Sequence, residues 1–169
     1  MATINFKWKT ITTWWPLPSV WSSAPIAELI DTTMKKRTIH EFIDWPVVLN
    51  IFPSLDTEVC ATSVQTFDKE IKGFETVTML CISRDLPFAI QRFFDENDIS
   101  NTVWLSDFRN LWFADAYGVK MIDWPFAWLL TRCVIVINAD WKILHIEHVS
   151  DITQQPKYSI VLEKLSSIH

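Results

Sequence analysis

Glycine is almost missing from this sequence. Only two of the 169 residues are glycine, whereas ten are tryptophan. Average usage would give about 12 glycines in a chain of this length. Glycine and tryptophan together number 12 here. The number of tryptophans therefore matches the deficit of about ten glycines.

Other absences limit the possible function. The three cysteines, Cys60, Cys81 and Cys133, are too few and too far apart for a disulfide framework. No Cys-x-x-Cys pair or zinc-type spacing occurs, so the sequence predicts no metal site and no cofactor. No apolar run approaches the roughly 20 residues that span a membrane. The first residues include Pro16 and Pro18 and lack a basic-then-apolar signal, which favours a cytoplasmic location.

Charge and composition are ordinary. The net charge is -5 and the isoelectric point is about 5.3, so no basic surface for nucleic acid is expected. Apolar residues make up 49% and charged residues 21%, as in globular proteins. The length predicts one domain over residues 1–169.

Patterns of apolar residues predict strands alternating with helices. Residues 3–13 alternate weakly and predict a hairpin. Further strands are predicted at 47–52, 77–83, 102–105, 132–138 and 142–148, and helices from about 57 to 71, 86–95, 108–117 and 156–168. This order predicts an α/β domain with helices on both faces of a central sheet. The late pair of strands, joined by a turn at "NADW", makes the sheet mixed.

The segment "PSLDTEVC", residues 53–60, places a cysteine at a helix start. Pro53 ends the preceding strand because it cannot donate to the ladder. Ser54, Asp56 and Thr57 are good N-cap residues, so the helix should begin near Asp56 or Thr57. Cys60 then lies in the first turn, where free N–H groups and the helix dipole favour a thiolate.

A packing role for Cys60 is the alternative. Cys60, Val64, Phe67 and Ile71 share one helix face. Free cysteine is among the most buried residue types. The residues alone therefore leave both roles open for Cys60.

A family resemblance adds to this pattern. "PSLDTEVC" resembles the active-site loop of peroxiredoxins, and "VLNIFPSLDTEVCATSV" followed by "LCISRDLPFA" and "SDFRN" resembles the thiol peroxidase subfamily, the atypical two-cysteine peroxiredoxins. The resemblance implies a thioredoxin-like fold with an N-terminal β-hairpin. It also implies a thiol-dependent peroxidase that reduces hydrogen peroxide and organic hydroperoxides. The implied partners are a hydroperoxide substrate and a thioredoxin-like or other thiol reductant. A homodimer is implied too, with contacts from the helix near 107–117 and the active-site loop.

The resemblance also implies residue roles. Cys60 would be the peroxidatic thiolate, which becomes a sulfenic acid. Thr57 would hydrogen-bond the thiolate and the peroxide, and Pro53 would shield the site from water. Arg132 would supply a permanent positive charge. Without the resemblance, Arg132 is equally well a solvated strand-end residue and Thr57 a plain N-cap.

The sequence departs from the subfamily at the resolving cysteine. Relatives usually carry it at or near position 94, where this chain has Phe94, and no cysteine occurs between residues 82 and 132. Cys81 lies in a predicted buried strand, and Cys133 should point to the sheet face opposite to that of Arg132. We therefore expect an external thiol to resolve the sulfenate. The missing cysteine also leaves open a peroxide-sensing redox relay without sustained turnover, or an inactive scaffold if Cys60 is unreactive.

The tryptophans are the second departure. Seven of them stand where relatives commonly have glycine: Trp8, Trp15, Trp21, Trp45, Trp124, Trp128 and Trp141. Tryptophan is a poor choice where φ is positive, because its Cβ clashes with the backbone. One hypothesis is a UGA codon that one genetic code reads as glycine and another as tryptophan. If the tryptophans are genuine, the protein should be strained and less stable.

Overall fold

The N-terminal residues form the predicted hairpin. In the computed structural model, which describes residues 1–42 and 44–168, β1 (Thr3–Phe6) pairs antiparallel with β2 (Lys9–Thr12). Ile4 and Ile11 are cross-strand partners, and both are buried. The hairpin is therefore held to the rest of the chain by one apolar face.

A seven-stranded sheet forms the centre of the fold. Its strands are β3 (Glu28–Ile30), β4 (Lys36–Thr38), β5 (Val47–Ile51), β6 (Thr78–Ser83), β7 (Thr102–Ser106), β8 (Cys133–Ile137) and β9 (Ile143–His148), in the order β4-β3-β7-β6-β5-β8-β9. Strands β5, β6 and β7 are parallel, whereas β8 runs antiparallel to both β5 and β9. The predicted mixed sheet is confirmed. All five residues of β5 are buried, as its continuous apolar run requires.

Helices cover both faces of this sheet. They are α1 (Glu58–Glu70), α2 (Pro87–Asn97), α3 (Trp112–Ala116) and α4 (Tyr158–Ser166), with short 3₁₀ segments at Ile39–Phe42 and Ile71–Gly73. Side chains of α1, α2 and α4 share one apolar core with Val48 and Val134 of the sheet. Side chains of α3 share a second core with Leu49 and Ile135. Neighbouring strand residues thus point to opposite cores, as the period of two requires.

The predicted helix over 108–117 is wrong at its beginning. Residues 108–110 form a turn, and α3 begins only at Trp112. Leu111 has a φ of 59°, in the left-handed region, which interrupts helical geometry. The Asp107 carboxylate accepts hydrogen bonds from the backbone N–H groups of Phe113 and Ala114, each at 3.3 Å. These contacts stabilise the helix start several residues later than the apolar pattern indicated.

The sequence patterns also missed the strands β3 and β4. Each has only three residues, too few to show an alternating pattern. They pair with each other, and β3 joins β7 through the single pair Ile30 and Ser106. The position of these two strands at the sheet edge therefore depends on tertiary contacts, which the local sequence did not indicate.

Three tryptophans have glycine-like backbone angles. The φ values are 69° at Trp21, 76° at Trp128 and 62° at Trp141. All three belong to the seven tryptophans at family glycine positions, and no other tryptophan in the described chain has a positive φ. A left-handed conformation costs an L-residue about 1–2 kcal/mol. These angles support the glycine hypothesis at three of the seven positions.

One of the two glycines in the chain also has a left-handed backbone conformation. Gly118 has a φ of 67°, and a Cβ there would lie 2.1 Å from the backbone oxygen of Pro16. No side chain fits in that space. The chain thus keeps glycine where both the angle and the neighbouring backbone demand it.

We expect Trp21→Gly and Trp128→Gly each to raise the free energy of unfolding by about 1 kcal/mol, because each removes left-handed strain. Both side chains are largely exposed, so little packing is lost. Urea denaturation measures the change. Trp112→Gly is the control: it is equally exposed but helical, and it should be neutral or destabilising. UGG codons at Trp21, Trp128 and Trp141 in the coding DNA would refute the glycine hypothesis.

Candidate active site

Cys60 is the third residue of α1 and its side chain is wholly buried. Its Sγ lies 2.8 Å from Thr57 Oγ1 and 3.3 Å from Arg132 Nη2. The site thus joins the first turn of α1 to the residue before β8. Val64 and Phe67, on the same helix face, lie in the same apolar core as Cys60. Both predicted environments, the helix start and the apolar stripe, therefore occur at one residue.

Arg132 is buried, so its interpretation as a solvated strand-end residue is wrong. Because β8 pairs antiparallel with β5, with Ile51 opposite Cys133, Arg132 lies at the carboxyl end of β5. The Ile152 carbonyl oxygen accepts bonds from Arg132 Nε at 3.3 Å and Nη2 at 3.1 Å. Arg132 Nη1 is buried and has no hydrogen-bond partner in the described part of the chain. The guanidinium therefore retains a free donor beside the sulfur.

Thr57 occupies the N-cap position of α1, but its side chain does not cap the helix. Its hydroxyl lies 3.0 Å from the Ser54 carbonyl oxygen as well as 2.8 Å from Cys60 Sγ. A hydroxyl has one proton and can donate to only one of these acceptors at a time. A charged sulfur is the stronger acceptor, so the hydroxyl would turn toward a thiolate.

Pro53 is buried and contributes to a small cavity at this site. The cavity has a volume of about 170 Å³ and is lined by Phe6, Pro53, Thr57, Val59, Phe126, Arg132, Ile152 and Thr153. Most of this lining is apolar. Thr57, Arg132 and Pro53, three of the four residues predicted from the sequence, therefore line one opening, and the fourth, Cys60, contacts the first two of them.

Asp85 holds the loop before α1, a role that the sequence reasoning missed. Its carboxylate accepts bonds from Ser54 Oγ at 2.7 Å, Leu55 N at 2.8 Å and Ser83 Oγ at 2.8 Å. Two of these donors belong to the active-site loop, so Asp85 ties that loop to the end of β6. The residue lies within the motif "LCISRDLPFA", which was the available signal.

The other two thiols are in different environments. Burial raises the pKa of Cys81 to about 12. Burial, with a smaller effect from Glu147, raises the pKa of Cys133 as well. Cys133 lies in the core on the sheet face opposite to Cys60, as predicted, whereas Cys81 shares the core of Cys60. All three cysteines are free thiols.

Phe94 fills the place where the resemblance expects a resolving cysteine. Its ring meets Trp104 edge-on, with centroids 5.2 Å apart, and Phe52 contacts the same indole at 5.4 Å. Aromatic contacts of this kind stabilise packing. Helix α2 is therefore attached to the sheet by an aromatic cluster at this position.

The described residues meet the requirements of neither a metal site nor a membrane-spanning helix. Within 1–42 and 44–168, no three His, Cys, Asp or Glu side chains cluster to hold a metal ion. None of the helices in the same part of the chain is long and apolar enough to cross a bilayer.

Comparison with known proteins identifies relatives that match nearly the whole chain. The profile of the Redoxin family matches residues 20–162. A thiol peroxidase of Mycobacterium bovis is 41% identical, over 99% of this chain and 100% of that protein. A thiol peroxidase of Corynebacterium glutamicum is 36% identical, over 98% and 100%. The crystal structure of a peroxiredoxin-like protein from Aquifex aeolicus superposes with a TM-score of 0.93 at 30% identity, over 99% of this chain and 97% of that one.

We expect iodoacetamide at pH 8 to leave Cys81 and Cys133 unmodified in the folded protein. Both thiols are buried, and burial keeps them protonated at this pH. Mass spectrometry of digested peptides measures the labelling. The same treatment in urea is the control and should label all three cysteines. Labelling of Cys81 in the folded protein at the unfolded rate would contradict the burial described here.

Proposed function

The chain belongs to the Redoxin family and is a thiol-dependent peroxidase of the peroxiredoxin class, and we propose that its reaction proceeds through Cys60. One observation supports the choice of Cys60 as the reacting thiol. Cys60 Sγ is the sulfur that contacts both a hydroxyl, from Thr57, and a guanidinium, from Arg132. Cation and hydroxyl together stabilise a thiolate and the oxygens that it attacks.

In the proposed first step, the Cys60 thiolate attacks the terminal oxygen of a hydroperoxide, ROOH. An S–O bond forms, the O–O bond breaks, and the leaving RO⁻ takes a proton to become ROH. Cysteine is oxidised to sulfenic acid and the peroxide is reduced. Thr57 Oγ1 and the free Nη1 of Arg132 are the donors that would orient the peroxide oxygens. Pro53, in the cavity wall, would limit the access of water.

We propose both hydrogen peroxide and organic hydroperoxides as substrates. Hydrogen peroxide needs only the polar groups around the sulfur. An organic hydroperoxide also needs space for its R group, and the apolar cavity wall of Phe6, Phe126 and Ile152 supports that use. Phe6 and Phe126 contact each other edge-on, with centroids 4.6 Å apart, so this wall is packed rather than loose.

An external thiol completes the proposed cycle, because Phe94 replaces the expected resolving cysteine. The thiol attacks the sulfenate sulfur and releases water to give a mixed disulfide, which a second thiol then reduces. The reductant would be a thioredoxin-like protein or another thiol.

Three free cysteines suit the reducing cytoplasm as the proposed location, which cell fractionation would check. Relatives named as peroxidases favour this enzyme over the redox relay.

We expect Cys60→Ser to abolish peroxide reduction with a thiol donor, whereas Cys81→Ser and Cys133→Ser keep most of it. Thr57 and Arg132 make their sulfur contacts to Cys60, and the two control thiols have raised pKa values because they are buried. After one equivalent of peroxide without thiol, the wild type should carry a sulfenic acid at Cys60 that dimedone labels. A Cys60–Cys81 or Cys60–Cys133 linked peptide in mass spectrometry would overturn intermolecular resolution, and activity in Cys60→Ser would overturn the mechanism.

We also propose a homodimer that uses the surface beside the active-site loop. Leu86, Phe88 and Trp112 are 52%, 68% and 69% exposed. The hydrogen bond from Ser106 Oγ to the Asp85 carbonyl, at 2.6 Å, joins the end of β7, which precedes α3, to the bend before α2. Exposed apolar side chains brought close together are typical of an interaction surface.

Sedimentation at high micromolar concentration should give the mass of a dimer. Phe88→Asp should shift it toward the monomer, because a charge would be buried at the interface. Ile160→Asp, at another exposed apolar position on α4, is the control and should leave the mass unchanged. A monomeric wild type would refute the dimer.

A further inference from the structure

The segment between β9 and α4 contacts the site from two sides. We call residues 149–158 the clamp segment. The Ile152 carbonyl holds the guanidinium of Arg132. Three residues later, Gln155 Nε2 donates to the Val59 carbonyl oxygen at 3.1 Å. Val59 directly precedes Cys60, so the clamp segment is bonded to the helical turn that carries the sulfur.

The amide of Gln155 is fixed at both ends. Tyr158 donates its hydroxyl proton to Gln155 Oε1 at 2.6 Å. A flipped amide would place its oxygen against the Val59 carbonyl oxygen, which also only accepts, so the orientation follows from the contacts. The Tyr158 ring packs edge-on against Phe67 of α1, with centroids 4.9 Å apart. Gln155 therefore joins the first turn of α1 to the start of α4.

The clamp segment is itself anchored. Asn5 N donates to the Ser150 carbonyl at 2.7 Å, and Ile152 N donates to the Asn5 carbonyl at 3.0 Å. These bonds attach the segment to the strand β1 of the N-terminal hairpin. A bond from Gln155 to α1 therefore restrains the helix against a fixed support rather than against a loose loop.

Resolution by an external thiol requires the first turn of α1 to open. The Cys60 side chain is wholly buried. Thr57 and Arg132 both contact Sγ and both line the cavity, so we place the peroxide, and the new oxygen on Sγ, on the cavity side. A thiol attacks sulfur along the line of the S–O bond that breaks, from the side opposite to the oxygen. Away from Thr57 and Arg132, Cys60 is enclosed by the apolar core that includes Val64 and Phe67. A thiol can reach the sulfur only after the turn has moved.

We propose that Gln155 is a positioning residue that holds this turn closed and so sets how fast the Cys60 sulfenate meets an external thiol. The inference rests on the proposed function of Cys60. While the turn stays closed, a second ROOH can oxidise the sulfenate to sulfinate and leave as ROH. When the turn opens, a thiol R′SH displaces the oxygen as water and forms a mixed disulfide. Gln155 thereby governs the partition between recovery and inactivation.

Two substitutions remove the bond, Gln155→Ala and Gln155→Leu, and the second keeps most of the side-chain volume. Loss of one ordinary hydrogen bond shifts an opening equilibrium about fivefold. Dithiothreitol should therefore resolve the sulfenate about fivefold faster in these variants than in the wild type. Rapid quench and mass spectrometry measure this rate. The peroxide concentration that converts half of Cys60 to sulfinate in the presence of dithiothreitol should rise by a similar factor. Tyr158→Phe removes the bond to Gln155 Oε1 but keeps the bond from Gln155 to Val59, so it should have a smaller effect.

Gln154→Ala is the matched control, since Gln154 is the exposed neighbour of the same type. It should retain the wild-type rate of sulfenate resolution and the wild-type peroxide concentration for half conversion to sulfinate. Hydrogen exchange on the reduced protein gives an independent measurement: amides near residues 59–62 should exchange faster in the Gln155 variants, while those of β5 stay unchanged.

The proposal is overturned if both Gln155 variants keep the wild-type partition between resolution and sulfinate formation and the wild-type hydrogen exchange. It is also overturned if Gln154→Ala shows the changes expected for the Gln155 variants. Faster exchange throughout the protein would also overturn it, because the effect would then be general destabilisation. Failure of Cys60 to form a sulfenate in the wild type would refute the proposed function instead, and hydrogen exchange would still decide whether Gln155 holds the turn.

Discussion

The buried contact between Cys60 Sγ and the Arg132 guanidinium is the interaction on which the other features of the site depend. A buried cation needs hydrogen-bond acceptors or an opposite charge, because burial removes its water. Arg132 has the Ile152 carbonyl and the sulfur as its partners. The pairing of β5 with β8 brings the arginine to the loop end of β5. The sheet, the clamp segment and α1 must therefore all be in place before this contact forms.

The packing and reactive interpretations of Cys60 are compatible in this fold. The backbone of α1 directs Cys60 into the apolar core with Val64 and Phe67. The same turn brings the sulfur within reach of the Thr57 hydroxyl. The apolar surroundings exclude water from the sulfur, which strengthens its electrostatic contacts with the hydroxyl and the guanidinium. The cost is access, since a completely buried sulfur cannot meet a large thiol until its helical turn opens.

Phe94 and the tryptophans show two different departures from the subfamily. Phe94 is integrated into the structure, because its ring packs against Trp104 in the core. Trp21 is not integrated in this way: it combines a positive φ with large exposure. A substitution that gains packing is compatible with the proposed resolution by an external thiol. A substitution that adds strain without packing fits an error in the residue identity.

The local sequence determined much of this protein. Pro53 and the polar turn after it predicted a helix start near Asp56 or Thr57, with Cys60 in the first turn. The apolar runs predicted the central strands, and the family resemblance of the motif around Cys60 implied its chemistry. These features depend on neighbouring residues, so a linear pattern contains them. Only the tertiary structure decided which distant groups meet. Arg132 is 72 positions from Cys60, and Gln155 is 96 from Val59. No local pattern encodes such pairs, because strand order and the path of the clamp segment are set by the packing of the whole sheet.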